Sequence, residues 1–180
     1  MRHLLLAVFL LSCGPKPVEP ALPDGASGVL LTTRSPVDTG GWVAAPPSLG
    51  DAVVDALAKE GLVLRPVPLA GREPALGDAR TDADRLGAIA GDGGWVVMVE
   101  ARARFFSQLE GRWRWVVEVR VGLGPADSLD RAVFDTFEVP VFLRHEHQGP
   151  EAAIDAAAPL IGLKVARLLR QQLGAEPARW

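Results

Sequence analysis

Two stretches in the middle of the chain alternate strictly between apolar and polar positions. From Trp95 to Phe106, Val97, Val99, Ala101, Ala103 and Phe105 alternate with Met98, Glu100, Arg102 and Arg104. From Trp113 to Leu123, Trp115, Val117, Val119 and Val121 alternate with Arg114, Glu118 and Arg120. A period of two over this length predicts a pair of half-buried antiparallel strands. Leu109-Glu110-Gly111 between them fits a three-residue hairpin loop with glycine at the left-handed position. The register that follows sets Phe105 opposite Trp115, Ala103 opposite Val117, Arg102 opposite Glu118 and Glu100 opposite Arg120. Sliding the strands by two residues would set like charges against each other, which is unfavourable. Turn chemistry, burial and charge therefore select one register.

The flanking segments supply helices and further strands. Gly28 to Thr33 is apolar and β-branched, as a short buried strand requires. Ser48 is placed to cap a helix, with Asp51 three positions on, and Leu49, Val53, Ala56 and Leu57 share its inner face. Gly61 ends that helix, and Leu62-Val63-Leu64 begins a strand that Pro66 and Pro68 confine to an edge. Thr81 with Asp84 caps a short helix carrying Leu86 and Ile89 inward. Gly91-Asp92-Gly93-Gly94 follows that helix rather than preceding one, so it reads as a stop and a turn, not a phosphate cradle. A strand from about Ala132 to Leu143 carries Pro140, an edge-strand feature. Ile154, Ala157, Ala158, Ile161, Val165 and Leu168 form the stripe of a helix from Pro150 to Leu173, with Pro159 predicting a kink or two helices. The order is β-α-β-α-β-β-β-α. It predicts an α+β fold (an α/β sandwich): a mixed sheet with antiparallel C-terminal strands and helices packed on one face.

The N-terminus changes the picture from a bare domain to an addressed one. Met1-Arg2-His3, an apolar run from Leu4 to Leu11 and small residues at Ser12-Cys13-Gly14 have the build of a secretory signal. The run is too short to cross a bilayer as a helix, which takes about 20 apolar residues. Leu10-Leu11-Ser12-Cys13 resembles a bacterial lipobox, which implies cleavage before Cys13 and lipid on that residue. Gly14 after the cysteine, in place of aspartate, implies the outer membrane by the same resemblance. Cys13 is the only cysteine, so a lipidated chain has no disulfide. The expected division is a signal peptide over 1–12, a lipidated Cys13 with a proline-rich tether over 13–27, one domain over 28–173 and a loose tail over 174–180.

Composition narrows the partners. Nineteen basic residues face 22 acidic ones, so nothing suggests the basic surface that nucleic acid demands. The helix before Gly91, the segment Gly94 to Ala101, the hairpin and the amphipathic C-terminal helix together resemble the domain of bacterial outer-membrane lipoproteins of the LpoB/CsgG-like kind. That resemblance covers about residues 28–173 and is architectural. It implies a periplasmic domain, held to the membrane by lipid, that serves another envelope component in cell-wall synthesis or envelope assembly.

Catalytic motifs are absent: there is no nucleophile elbow, phosphate loop, dinucleotide fingerprint or zinc-protease helix. The expectation is a non-enzymatic binding module without cofactor. Its partner would be an envelope protein or an anionic envelope polymer, met through the open sheet face (Glu100, Arg102, Arg104, Arg114, Glu118, Arg120) or through Trp42 in a Gly/Pro-rich loop. Arginine outnumbers glutamate on that face, which favours an acidic partner. In Arg112-Trp113-Arg114-Trp115 the alternation sends both tryptophans to the core side and both arginines to the open side. Two alternatives stand beside this reading. His145 and His147, at i and i+2, are a possible two-ligand metal patch or enzymatic site that lacks a third ligand. A structural subunit of a secretion or flagellar-type assembly, joined through sheet edges, is the other. The oligomeric state is left open.

The lipobox reading has a direct check. Cys13→Ser is expected to abolish fatty-acid labelling and leave the precursor uncleaved by the lipoprotein peptidase. Labelling that persists in this variant would reject the assignment.

Overall fold

The computed structural model describes residues 28–34, 42–90, 94–145 and 148–174. The signal, the lipobox with Cys13, the tether, most of the tail, Gly91 to Gly93 and His147 lie outside the described residues. The elements in chain order are β1 (Gly28–Arg34), β2 (Trp42–Ala44), α1 (Pro47–Lys59), β3 (Arg65–Pro66), α2 (Glu73–Asp78) and α3 (Asp82–Ile89). Then come β4 (Trp95–Leu109), β5 (Arg112–Pro125), a turn of 3-10 helix, β6 (Val133–Leu143) and α4 (Pro150–Gln172).

The strands form one sheet in the order β2-β1-β4-β5-β6, with β3 beside the start of β1. β1 runs parallel to β4, and β4, β5 and β6 form an antiparallel meander. The fold is therefore α+β with a mixed sheet, as the element order predicts. β6 is an edge strand, so Pro140 costs no interior ladder bond.

The core lies between the odd-numbered face of the meander and two helices. Val97, Val99, Ala101 and Ala103 of β4 and Val117, Val119, Val121 and Leu123 of β5 are buried with Leu49, Val53 and Leu57 of α1 and Ile154, Ile161, Val165 and Leu169 of α4. Each Val, Leu or Ile among them contributes roughly 1.5–3 kcal/mol when fully removed from water, and each alanine less. The two helices run side by side in the same direction: Ser48 meets Asp155, Ala52 meets Gly162, and Glu60 pairs with Arg170 at 3.4 Å. α4 continues through Pro159 as one helix rather than two, with the proline on its exposed side.

Three local expectations are corrected. Ser48 does not cap α1: Pro46 holds the cap position without a side-chain bond, Pro47 begins the helix, and the Ser48 hydroxyl donates to Asp155 of α4. Proline at the first position has its φ already set for the helix, which removes the need for a capping hydroxyl. The strand expected from Leu62 is only Arg65–Pro66, although Leu62 and Leu64 are buried and Val63 is exposed. Pro66 and Pro68 cannot donate to a ladder, so the segment alternates without pairing further. Helices also occur beyond the expected face. α3, with α2, carries Leu86, Ile89 and Leu76 onto Val96 and Met98, on the even face of β4. At the start of β4 that face is apolar, and there a second small core forms.

The hairpin combines the expected register with a different turn. Glu100 faces Arg120, Arg102 faces Glu118, Ala103 faces Val117 and Phe105 faces Trp115. The loop, however, is two residues long. Leu109 pairs with Arg112, and Glu110 and Gly111 both have positive φ, 50° and 74°. This is the primed turn that suits the right-handed strand twist. A two-residue loop would shift the whole register by one, and a bulge between Phe105 and Ser107 takes that residue back.

The contact between α1 and α4 permits a pair of measurements. A Cβ at Gly162 would overlap the backbone carbonyl of Ala52, whereas one at Gly77 of α2 meets nothing within 4 Å. Gly162→Ala is expected to destabilise by about 1–3 kcal/mol through overpacking. Gly77→Ala is expected to stabilise by about 0.4–1 kcal/mol through the unfolded chain. Denaturant melts of both variants check this, and equal effects would show that the helix contact is looser than described.

Candidate functional site

The even face of the meander divides into two halves with different chemistry. Near the start of β4, α3 lies over it. The Thr81 hydroxyl accepts from the Asp84 amide at 3.1 Å, and the Asp84 carboxylate accepts from the Thr81 amide at 2.9 Å, a complete capping box. Those bonds hold the Asp84 carboxyl below its ordinary value of 3.8, the Thr81 bonds being the largest cause. The cap fixes where α3 begins and so where Asp82 and Arg85 stand. Asp82 accepts from Arg85 and from Arg120 of β5, each at 3.2 Å, and Arg85 lies 4.0 Å from Glu100.

These contacts change the standing of three expected open-face residues. Glu100 is buried, 7% exposed, and faces α3 rather than solvent. Arg120 is engaged by Asp82. Trp42 is half-buried on the small second core, with the Arg85 guanidinium 5.6 Å from its ring centre. It is part of the cover over β4 rather than an exposed anchor. A shallow well of about 50 Å³ among Glu100, Arg102, Glu118 and Arg120 is lined by charges of both signs. Opposing charges at that spacing fit a structural ion network.

The far half, toward the hairpin turn, is uncovered among the described residues. Glu118 has Arg102 on one side and Glu138 of β6 on the other. Arg104 offsets that like-charge pair by binding Glu138 at 3.1 Å. Beyond this point the bulge decides the face. Past Phe106, Ser107 pairs with Arg114, Gln108 with Trp113 and Leu109 with Arg112. Leu109, which unbroken alternation would put on the core side, therefore lies on the open side with Phe106, Arg112 and Arg114. Phe142 of β6 pairs with Arg114 and joins them. The Phe106 ring is flanked by Arg114 at 4.5 Å and Arg104 at 5.8 Å. On the core side, Phe105 meets Trp113 at 5.4 Å and Trp115 at 5.8 Å, with both tryptophans partly buried against the main core.

The sequence-predicted residues thus separate. Arg104 and Arg114 come together around Phe106, a residue that sequence alternation did not single out. Arg102 belongs to the strand-pair charges, and Arg120 and Trp42 belong to the α3 end. The bulge that turns Leu109 toward Phe106 and Phe142 leaves a faint sequence signal, the adjacent pair Phe105-Phe106 where alternation breaks. His145 is exposed, and its amide donates to Gln148 at 3.0 Å, while its expected partner His147 lies outside the described residues. Among the described residues no group of three or more His, Cys, Asp or Glu is placed to hold a metal ion. Among them, too, no helix is long and apolar enough to cross a membrane. A groove of about 390 Å³ runs between the start of α1 and the Pro66–Leu69 segment, with Asp51 and Asp55 on its rim.

No family model matches the chain, and no curated protein is similar to it. Among solved structures, the chain is similar to protein XCC0632 from Xanthomonas campestris, of the DUF330 family, at 15% identity and a TM-score of 0.43. That alignment covers 88% of this chain and 93% of the other. It is also similar to a PelC dodecamer from Paraburkholderia phytofirmans at 14% identity and a TM-score of 0.35, covering 87% and 94% of the two chains.

The cap of α3 carries a pH signature. Because the folded pKa of Asp84 is lowered, its contribution is fully present above the ordinary carboxylate value of 3.8. It is lost as pH falls through the lower, folded value. Stability of the parent relative to Asp84→Asn is expected to stay constant from neutral pH down to 3.8 and to shrink below it. A carboxyl titration by nuclear magnetic resonance should find Asp84 below that value in the parent and closer to it in Thr81→Ala. An unshifted Asp84 in the parent would remove the capping box from the account.

Proposed function

We propose that this protein is a lipid-anchored lipoprotein of the cell envelope, acting as a non-enzymatic binding and accessory module for another envelope component. In this reading Cys13 carries the lipid, the anchor lies in the outer membrane, and the domain stands in the periplasm on its proline-rich tether. The LpoB/CsgG-like class of lipoproteins is the part of the proposal that rests on architecture alone. The observation that carries the binding role is the arginine-flanked phenylalanine on the uncovered half of the sheet. Arg104 and Arg114 stand on either side of Phe106, with Phe142 exposed beside them. Aromatic and arginine side chains are the preferred anchors of interfaces. Exposed cation–π contacts are worth only about 0.5–1 kcal/mol each, so holding this fold of charge and ring together does little for stability. Its chemistry suits an acidic partner.

The reading has a capture test. Arg104→Gln with Arg114→Gln is expected to leave the fold intact by circular dichroism and to weaken retention of native envelope partners. The parent should lose the same partners as salt rises, because exposed charge pairs are screened. A folded double variant that keeps every partner would show that the working surface lies elsewhere, and a parent that retains none would remove the adaptor role.

A further inference from the structure

Of the nine large apolar side chains that stand exposed among the described residues, four lie at the turn end of the β4–β5 hairpin. Phe105, Phe106 and Leu109 are 47%, 52% and 55% exposed, and Phe142 is 48% exposed. Phe106 and Phe142 lie on the open face by alternation, the bulge adds Leu109 to them, and Phe105 lies on the other side of the same strand. The end is therefore apolar on both sides, unlike a sheet face that binds a partner on one side only. Arg112, Arg114 and Arg144 surround it, and among the described residues Glu110 at the apex is the acidic residue beside them that has no strand partner in the register. Arg104 is bound to Glu138, and Arg102 faces Glu118. In a chain with net charge −3, this end is locally basic.

We infer that the hairpin end docks on an anionic bilayer surface, with Phe105, Phe106, Leu109 and Phe142 in the interfacial layer and Arg112, Arg114 and Arg144 on lipid phosphates. This deepens the proposed function by naming its acidic partner, and it takes its geometry from the lipid anchor proposed there. Aromatic side chains rimmed by arginine are the composition that settles at a membrane interface, the rings below the headgroups and the guanidiniums among them. Guanidinium groups also match phosphate oxygens two at a time. An acidic polymer would satisfy the arginines and leave the apolar side chains on both sides in water, and that is why lipid is favoured.

The chain length agrees. β1 begins at the level of Val96, since Val29 pairs with Val97, so the tether joins the sheet at the end away from the turn. From Val96 to Leu109 the strand spans about 43 Å at ~3.3 Å per residue. A proline-rich segment over 14–27 reaches roughly 40 Å. A lipid on Cys13 and the hairpin end can then meet the same membrane.

The test uses the full lipoprotein, reconstituted in vesicles of equal parts phosphatidylglycerol and phosphatidylcholine. A fluorescent nitrobenzoxadiazole label is attached at Gln108→Cys beside the turn or at Asp127→Cys at the opposite end of the sheet. Lipids brominated in their acyl chains are expected to quench the label at 108 at least severalfold more than the label at 127. Vesicles of phosphatidylcholine alone should give a smaller difference. Arg112→Gln with Arg144→Gln should weaken docking by about fivefold per arginine. Phe106→Ser with Leu109→Ser should abolish the quenching while the circular dichroism spectrum is kept. Equal quenching at the two positions, or none at 108 in protein that floats with the vesicles, would overturn the inference. So would a label at 108 that responds only when envelope proteins are added, which would assign the hairpin end to a protein. A second label on Cys13 would show that residue unacylated. That outcome strikes the anchor alone, because quenching at 108 is read independently of it.

Discussion

The odd-numbered side chains of β4 and β5 must be covered, and the rest of the fold is arranged to cover them. Eight of these positions, from Val97 to Ala103 and from Val117 to Leu123, are almost wholly removed from water. No single helix is wide enough for a three-stranded meander, so α1 and α4 lie side by side across it. Their close approach depends on Gly162, whose missing Cβ makes room for the Ala52 carbonyl. The parallel β1–β4 pairing follows from the same demand. The chain must travel from one end of the sheet back to it, and α1 is laid over the core during that crossover.

The even face has no comparable demand, and its two halves diverge. At Val96 and Met98 it is apolar, and α3 covers it with Leu86 and Ile89. At Glu100 the pattern turns polar, and the cover becomes electrostatic, with Asp82 and Arg85 of α3 reaching Glu100 and Arg120. Past that point no element among the described residues lies over the sheet, and the strands manage their own charges: Arg104 relieves the meeting of Glu118 and Glu138. What is left uncovered is the part that bears exposed aromatic side chains.

The bulge at Phe106 joins fold to function. It lets a two-residue turn close a hairpin whose register is already fixed by burial and charge. In doing so it turns Leu109 to the open side and leaves Phe105 and Phe106 back to back. With the predicted three-residue loop, Leu109 would have been a loop residue belonging to neither row. The local cost of one unpaired residue thus adds Leu109 to an apolar end bordered by Arg112 and Arg114.

The sequence by itself determined the antiparallel hairpin and its central register, because period-two burial and the pairing of Arg102 with Glu118 and Glu100 with Arg120 are local rules that agree. It also determined the α3 capping box at Thr81 and Asp84, the edge character of the Pro140 strand and the α+β class. Arg104 and Arg114 were legible as open-face residues for the same reason. Only the tertiary structure decided that Glu100, Arg120 and Trp42 belong beneath α3, because nothing local to any of them says which helix will cross their strand. It likewise decided that Ser48 serves α4 through Asp155, a partner 107 positions away. Leu109 was hidden from the open face for a sharper reason. Alternation assigns faces by counting along the strand, and a single bulged residue reverses the count for everything beyond it, which sets Leu109 beside Phe106 and Phe142.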